Sequence, residues 1–260
     1  MMTSTTKAKF SVPGWAAKLL TAVFWLCVWQ AVYLCVGQEI LVVSPACVLQ
    51  RLFQLGAEQK FWLTVLRSIL RILSGFFIGM ALGILLAVPA ACSKTCRTLI
   101  RPVVSVIKAT PVASFIIIAL VWMHAEFVPA FSASLIVFPV VWENVLEGIQ
   151  KTDVGLLQMS RMFCFGPAKT ARCVYLPSVM PYFTAACTTS LGLSWKSGVA
   201  AEVLANLPFS IGGFIYDSKI YLETADLFAW TAVVILLSVL LEHLVTRLMK
   251  RAAKKFSFEL

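Results

Sequence analysis

The fold class that this sequence predicts is an all-α integral membrane protein with six transmembrane helices. Three observations carry it. Of the 260 residues, 60% are hydrophobic and only 13% charged, with a mean hydropathy of +0.89, which a water-soluble domain of this size does not sustain. The apolar residues fall in runs long enough to cross a bilayer, for which a helix needs about 20 residues. The lysines and arginines collect in alternate connections between those runs, as they do where basic loops resist translocation.

In chain order the spans read at about 16–37, 63–90, 101–123, 128–148, 177–205 and 226–248, within a single membrane domain over 1–260. Lys7, Lys9 and Lys18 precede the first, like the basic start of a signal peptide. No small-residue cleavage site follows its apolar run through Trp25 and Trp29, so it is read as a retained helix. The second span carries Gly75, Gly79 and Gly83 at four-residue intervals, a face that lets another helix approach closely, within the chain or across a dimer. Arg67 and Arg71, one turn apart near its outer end, either snorkel to the headgroups or meet an external partner.

Orientation follows from the basic residues. With the N-terminus inside, fifteen of the 22 Lys and Arg residues fall in cytoplasmic segments, against Arg51, Lys60, Arg67, Arg71 and Lys219 on the outer side. Both termini are then cytoplasmic. The topology accounts for most of the net charge of +10, so no nucleic-acid partner is inferred.

The stretch 152–181 is the longest interruption without a membrane-length apolar run, and it faces the same side as the termini. Thr152 or Asp153 can cap a short helix, along which Val154, Leu156, Leu157, Met159 and Phe163 recur at roughly helical spacing. Gly166 and Pro167 are expected to stop it. The result is an amphipathic helix and turn, over about Asp153 to Cys164, shaped to dock on another protein.

A search for catalysis returns little. His124 and His243 lie in no HExxH or nucleophile-base arrangement, and no phosphate-cradling glycine loop is present. The eight cysteines are scattered without paired CxxC units, and no metal site is assigned. Whatever energy the protein uses must come from a gradient or a partner.

The spacing of the 152–181 stretch resembles the cytoplasmic EAA loop of type I ABC importer permeases, here 152–176. Gln158, Met159 and Ser160 stand where that pattern has Glu-Ala-Ala, Cys164 at its glycine, Val174 at its isoleucine, and Leu176 and Pro177 at its end. Further motifs are similar to the nitrate, sulfonate and taurine branch: Ser68, Arg71 and Gly75; Phe138, Pro139, Asn144 and Gly148; Pro181, Gly192, Leu193, Trp195, Ala201 and Glu202. Gln158 departs from the pattern by losing a charge, and Cys164 by losing a backbone freedom where the loop bends, which Gly166 and Pro167 could supply two residues later.

The resemblance implies a MetI-like permease fold working as a homodimer with two copies of an ATPase and an extracytoplasmic solute-binding protein. ATP and Mg would be used by that ATPase and none bound by this chain, which is not itself an enzyme. Asp153, Leu157, Gln158, Ser160, Met162, Phe163, Cys164 and Gly166 would carry the ATPase coupling. The solute would be a nitrate-, sulfonate- or taurine-like anion or a related small organic molecule. Lys196, costly in mid-span unless paired or facing a cavity, is assigned to the substrate path with Lys108, Trp122, Asn144, Trp195 and Glu202. Glu202 lies six residues on from Lys196, roughly 240° around the helix, so the two do not share a face. Lys108 and Glu143 are other possible ion-pair partners. Two alternatives stay open. An energy-coupling-factor membrane component would show paired Ala-Arg motifs, of which Ala171-Arg172 is one; an ATPase-independent secondary transporter would show inverted repeats, and none is evident.

Overall fold

The structure is a computed structural model that describes residues 14–258, so the predicted basic start at Lys7 and Lys9 lies outside the described residues. Within them every regular element is helical: α1 (Gly14–Val36), α2 (Pro45–Ala57), α3 (Gln59–Cys92), α4 (Lys94–Ala109), α5 (Val112–Trp122), α6 (Val128–Gln150), α7 (Val154–Met162), α8 (Pro167–Thr170), α9 (Leu176–Leu204), α10 (Ile211–Ile220) and α11 (Thr224–Phe258). α8 runs into α9 through a π-helical turn at Ala171–Tyr175. Four helices, in α1, α3, α6 and α11, are long and apolar enough to cross a membrane. α4 and α5 are long and apolar enough only when taken together, and they are bent by 103° at their joint, as in a broken span or a re-entrant loop. α9, at 29 residues, is long enough as well, but Lys196, Glu202 and its many hydroxyl residues dilute its hydropathy.

The bend changes the reading of the third span, which was expected as one helix over 101–123. Pro111 has no N–H to donate, and its ring disfavours helical geometry in the residue before it. Thr110 accordingly turns extended, with ψ at 132°, and closes α4.

The core is built on α3, α6 and α9. The inward face of α3 reads Thr64, Ser68, Ile72, Gly75, Gly79, Gly83 and Ala87, at three- to four-residue steps, with Val65 and Phe76 buried beside it. Gly75 and Gly79 meet the backbone of α6 so closely that an added Cβ would sit 2.1 Å from the Ala130 carbonyl oxygen and 2.5 Å from that of Ser134. The glycine face is therefore used inside the chain. Two indoles tie the layers together: Trp142 Nε1 donates to Leu86 O at 3.3 Å and Trp195 Nε1 to Val234 O at 3.1 Å. α1 lies at the edge, with Trp29 donating to Val43 O at 3.1 Å and stacking on Phe228. α2 is locked to α11 by Arg51, which grips Asp226 through Nε and Nη2, the latter at 2.8 Å. That hydrogen bond holds the Arg51 guanidinium above its ordinary value.

α10 is seated by its first three amides. Ile211 N–H donates to Ser68 Oγ at 3.0 Å, Gly212 N–H to Glu202 Oε2 at 3.1 Å, and Gly213 N–H to Ser210 Oγ at 2.9 Å. Helix N-termini leave such donors free and carry partial positive charge, so a buried carboxylate is well matched to the place.

Candidate functional site

Two regions hold the residues singled out from sequence. One is α7 with its flanking turns. Asp153, rather than Thr152, is the cap, accepting from Gly155 N–H at 2.7 Å. Thr152 is buried and turns its hydroxyl back to Gly148 O at 3.2 Å. At the other end the helix stops at Met162, before the expected Gly166 and Pro167. Cys164 takes the left-handed conformation, with φ at +51°. Phe165 N–H then reaches Ser160 O at 2.9 Å and Cys164 N–H reaches Arg161 O at 3.0 Å, the paired bonds of a Schellman motif. The bend thus sits at the position the family pattern gives to glycine, although a cysteine fills it. Gly166, with φ at −65°, instead begins α8.

Between these ends α7 presents apolar side chains outward. Met162 is 84% exposed and Phe163 69%, with Val154, Leu156 and Met159 also exposed. Gln158 and Cys164 share that exposure. Leu157 is half-buried and Ser160 is buried, its hydroxyl donating to Leu157 O at 2.8 Å, so these two face the chain. The turn is stiffened where Lys169 Nζ lies 4.1 Å over the Phe165 ring.

The other region is the polar side of the bundle. Lys108 Nζ meets both oxygens of Glu143, at 2.9 and 2.7 Å, so these residues pair with each other across α4 and α6. Lys196 is exposed in the middle of a stripe along α9 that also holds Ala185, Thr189, Leu193 and Ala200. Among the described residues it makes no salt bridge. Trp122 is 76% exposed at the end of α5, and half-buried Asn144 donates to Val140 O within its own helix at 2.8 Å. Trp195 and Glu202 are placed otherwise, at 1% and 0% exposure inside the core.

What sequence reasoning missed is the partner of Glu202. Arg71 Nη1 lies 3.1 Å from Oε1, and Ser68 Oγ donates to Oε2 at 2.9 Å. Ser68, Arg71 and Glu202 all belong to the motifs of the sequence, and Arg71 and Glu202 lie near the same end of two antiparallel helices, which is the available signal. Among the described residues no group of three or more His, Cys, Asp or Glu converges as metal ligands would.

An all-helical multi-pass bundle with an amphipathic helix between two of its spans is the architecture of type I ABC importer permeases. The chain is similar in fold to the inward-facing MetNI methionine ABC transporter, with a TM-score of 0.58 at 17% identity, covering 77% of this chain and 99% of that one. It is equally similar to an amino acid ABC transporter crystallised with histidines, with a TM-score of 0.58 at 15% identity, over 74% of this chain and 92% of that one. The chain belongs to the binding-protein-dependent transport system inner membrane component family, whose model matches residues 79–257. Among curated relatives, the putative aliphatic sulfonates transport permease protein SsuC of Escherichia coli (strain K12) is 31% identical over 183 residues, 70% of this chain and 69% of that one. The taurine transport system permease protein TauC of the same organism is 23% identical over 235 residues, 88% and 83% of the two chains. The nitrate import permease protein NrtB of Synechocystis sp. is 26% identical over 206 residues, 74% and 73%. The chain is a multi-pass membrane permease component of this transporter class.

Proposed function

We propose that this chain forms the solute pathway of an ATP-driven importer, coupled through α7 to a separate ATPase and fed by an external binding protein. The observation that carries the reading is α7 itself. A nine-residue helix capped by Asp153 and closed by the Schellman turn at Cys164 shows Met162, Phe163 and Val154 outward. Clustered exposed apolar side chains on a rigid helix are what a groove in a partner protein covers. The distribution of basic residues puts this helix in the cytoplasm, with both termini.

One chain offers one such helix, so a pair of ATPase subunits calls for two copies of the permease. When the ATPases close on ATP, α7 transmits the movement as a handle. It is joined to α6 at Lys151, which pairs with Glu147 at 2.6 Å, and to α9 through the π-helical turn. The relatives named for taurine, sulfonates and nitrate favour a small anion or related organic solute. The exposed, unpaired Lys196 in α9 supplies a cation for it.

The test is purification of tagged wild type and of the Met162→Glu/Phe163→Glu variant from the host's own membranes, with mass spectrometry of what accompanies each. Wild type is expected to bring a P-loop ATPase and a binding protein, and the variant to lose the ATPase while still reaching the membrane. Wild type recovered alone, even after mild cross-linking, would overturn the coupling and favour a transporter without an ATPase.

A further inference from the structure

A second charged region is not used by the transport reading. Between α4 and α6 lies a cavity of about 380 Å³ lined by Arg97, Arg101, Ser105, Trp142, Glu143 and Gln150, among others. A neighbouring hollow of about 350 Å³ shares Arg97, Arg101 and Ser105. The carboxylates on its α6 wall are already neutralised, Glu143 by Lys108 and Glu147 by Lys151. The two guanidinium groups are not. Arg97 is held by neutral acceptors alone: Ala90 O at 3.3 Å and, with the amide turned to face it, the Gln150 oxygen at 2.9 and 3.1 Å. Arg101, one turn further, has no hydrogen-bond or ion-pair partner among the described residues.

The opposite face of α4 adds an independent observation. Leu99, Val103 and Val106 follow one another at helical spacing and are 69%, 54% and 61% exposed. α4 thus carries a cationic face toward the cavity and an apolar face away from it. Basic pockets between transmembrane helices on the cytoplasmic side take phosphate-bearing headgroups. In the orientation given by the basic residues, this cavity is on that side, and its wall at Gln150 is four residues before α7.

We infer that Arg97, Arg101 and Ser105 form a binding site for a phosphate group, free or carried by an anionic phospholipid. Two guanidinium groups spaced one turn apart match the several acceptor oxygens of a phosphate. Occupancy would tie α4 to α6 next to the coupling helix.

The experiment is native mass spectrometry of the detergent-solubilised full chain titrated with phosphatidylglycerol or phosphatidylcholine, with and without millimolar inorganic phosphate. Wild type is expected to retain phosphatidylglycerol preferentially. Each arginine contributes about fivefold to that preference. Arg97→Gln/Arg101→Gln should lose it, while Arg101→Lys and the control Arg247→Gln/Arg251→Gln keep it. Arg101→Gln breaks no hydrogen bond or ion pair among the described residues, so its partial loss is readable even where the double variant is poorly folded. Competition by inorganic phosphate would assign the site to free anions as well; its absence would assign it to lipid alone. Equal phosphatidylglycerol retention by wild type and Arg101→Gln, or no lipid preference in wild type, overturns the site. Neither readout depends on an ATPase, so failure here leaves the transport reading standing.

Discussion

Arg71 and Glu202 stand 131 residues apart in the chain and meet at 3.1 Å, the carboxylate completely buried. The same carboxylate accepts from Ser68 and from the backbone of Gly212, so one side chain joins α3, α9 and the start of α10. Removing one partner of such a pair leaves an uncompensated charge. Glu202→Ala is expected to destabilise by about 3–5 kcal/mol. Glu202→Gln, which keeps part of the hydrogen bonding, should cost less. Thermal unfolding of the detergent-solubilised protein orders them, and equal midpoints for Glu202→Ala and wild type would contradict the network.

Cys164 holds a positive φ that an L-residue adopts at a cost of roughly 1–2 kcal/mol and glycine does not. Part of that is offset by glycine's greater freedom in the unfolded chain. Cys164→Gly should therefore stabilise the protein by up to about 1 kcal/mol, and Cys164→Val should destabilise it. The sign of the change in unfolding midpoint is the readout.

Gly75 and Gly79 leave no space for a side chain against α6. Gly75→Ala is expected to force the helices apart at a cost of about 1–3 kcal/mol. A substitution at Gly56, where an added Cβ meets nothing within 4 Å, serves as the tolerant control. Yields of monodisperse protein and unfolding midpoints would separate the two sites.

Lys196 and Trp195 are adjacent in sequence and opposite in expected behaviour. Lys196→Gln removes an exposed, unpaired charge and should change stability by no more than about 0.5 kcal/mol, while lowering uptake of an anionic solute in a reconstituted transporter. Trp195→Phe deletes the donor to Val234 O in the core and is expected to cost about 1–3 kcal/mol. A large stability loss in Lys196→Gln would assign that lysine to structure.

Most of the helices were legible because their signals are local. Apolar runs mark the spans, and the glycine spacing on α3 marks its packing face. The break at Pro111 was harder to read, since Pro89, Pro139 and Pro181 sit inside helices that continue through them. A proline alone does not say which outcome tertiary packing will choose. The closing turn of α7 went astray for a similar reason: Gly166 and Pro167 are the stronger local breakers, yet the chain bends at Cys164. The pairing of Arg71 with Glu202 depends on which helices become neighbours, and no local pattern carries that. The short helix itself, by contrast, was readable from the spacing of Val154, Leu156, Leu157, Met159 and Phe163, with its cap narrowed to Thr152 or Asp153.

The close approach of α3 and α6 has a mechanical consequence. At Gly75 and Gly79 no layer of side chains separates the two backbones, so there is nothing between them to slide or re-pack. The pair is a single strut. Flexing has to be borne elsewhere, and the joint between α4 and α5 is suited to it. At Thr110–Pro111 the ladder of backbone hydrogen bonds is already interrupted, and a change of angle there sacrifices none of them.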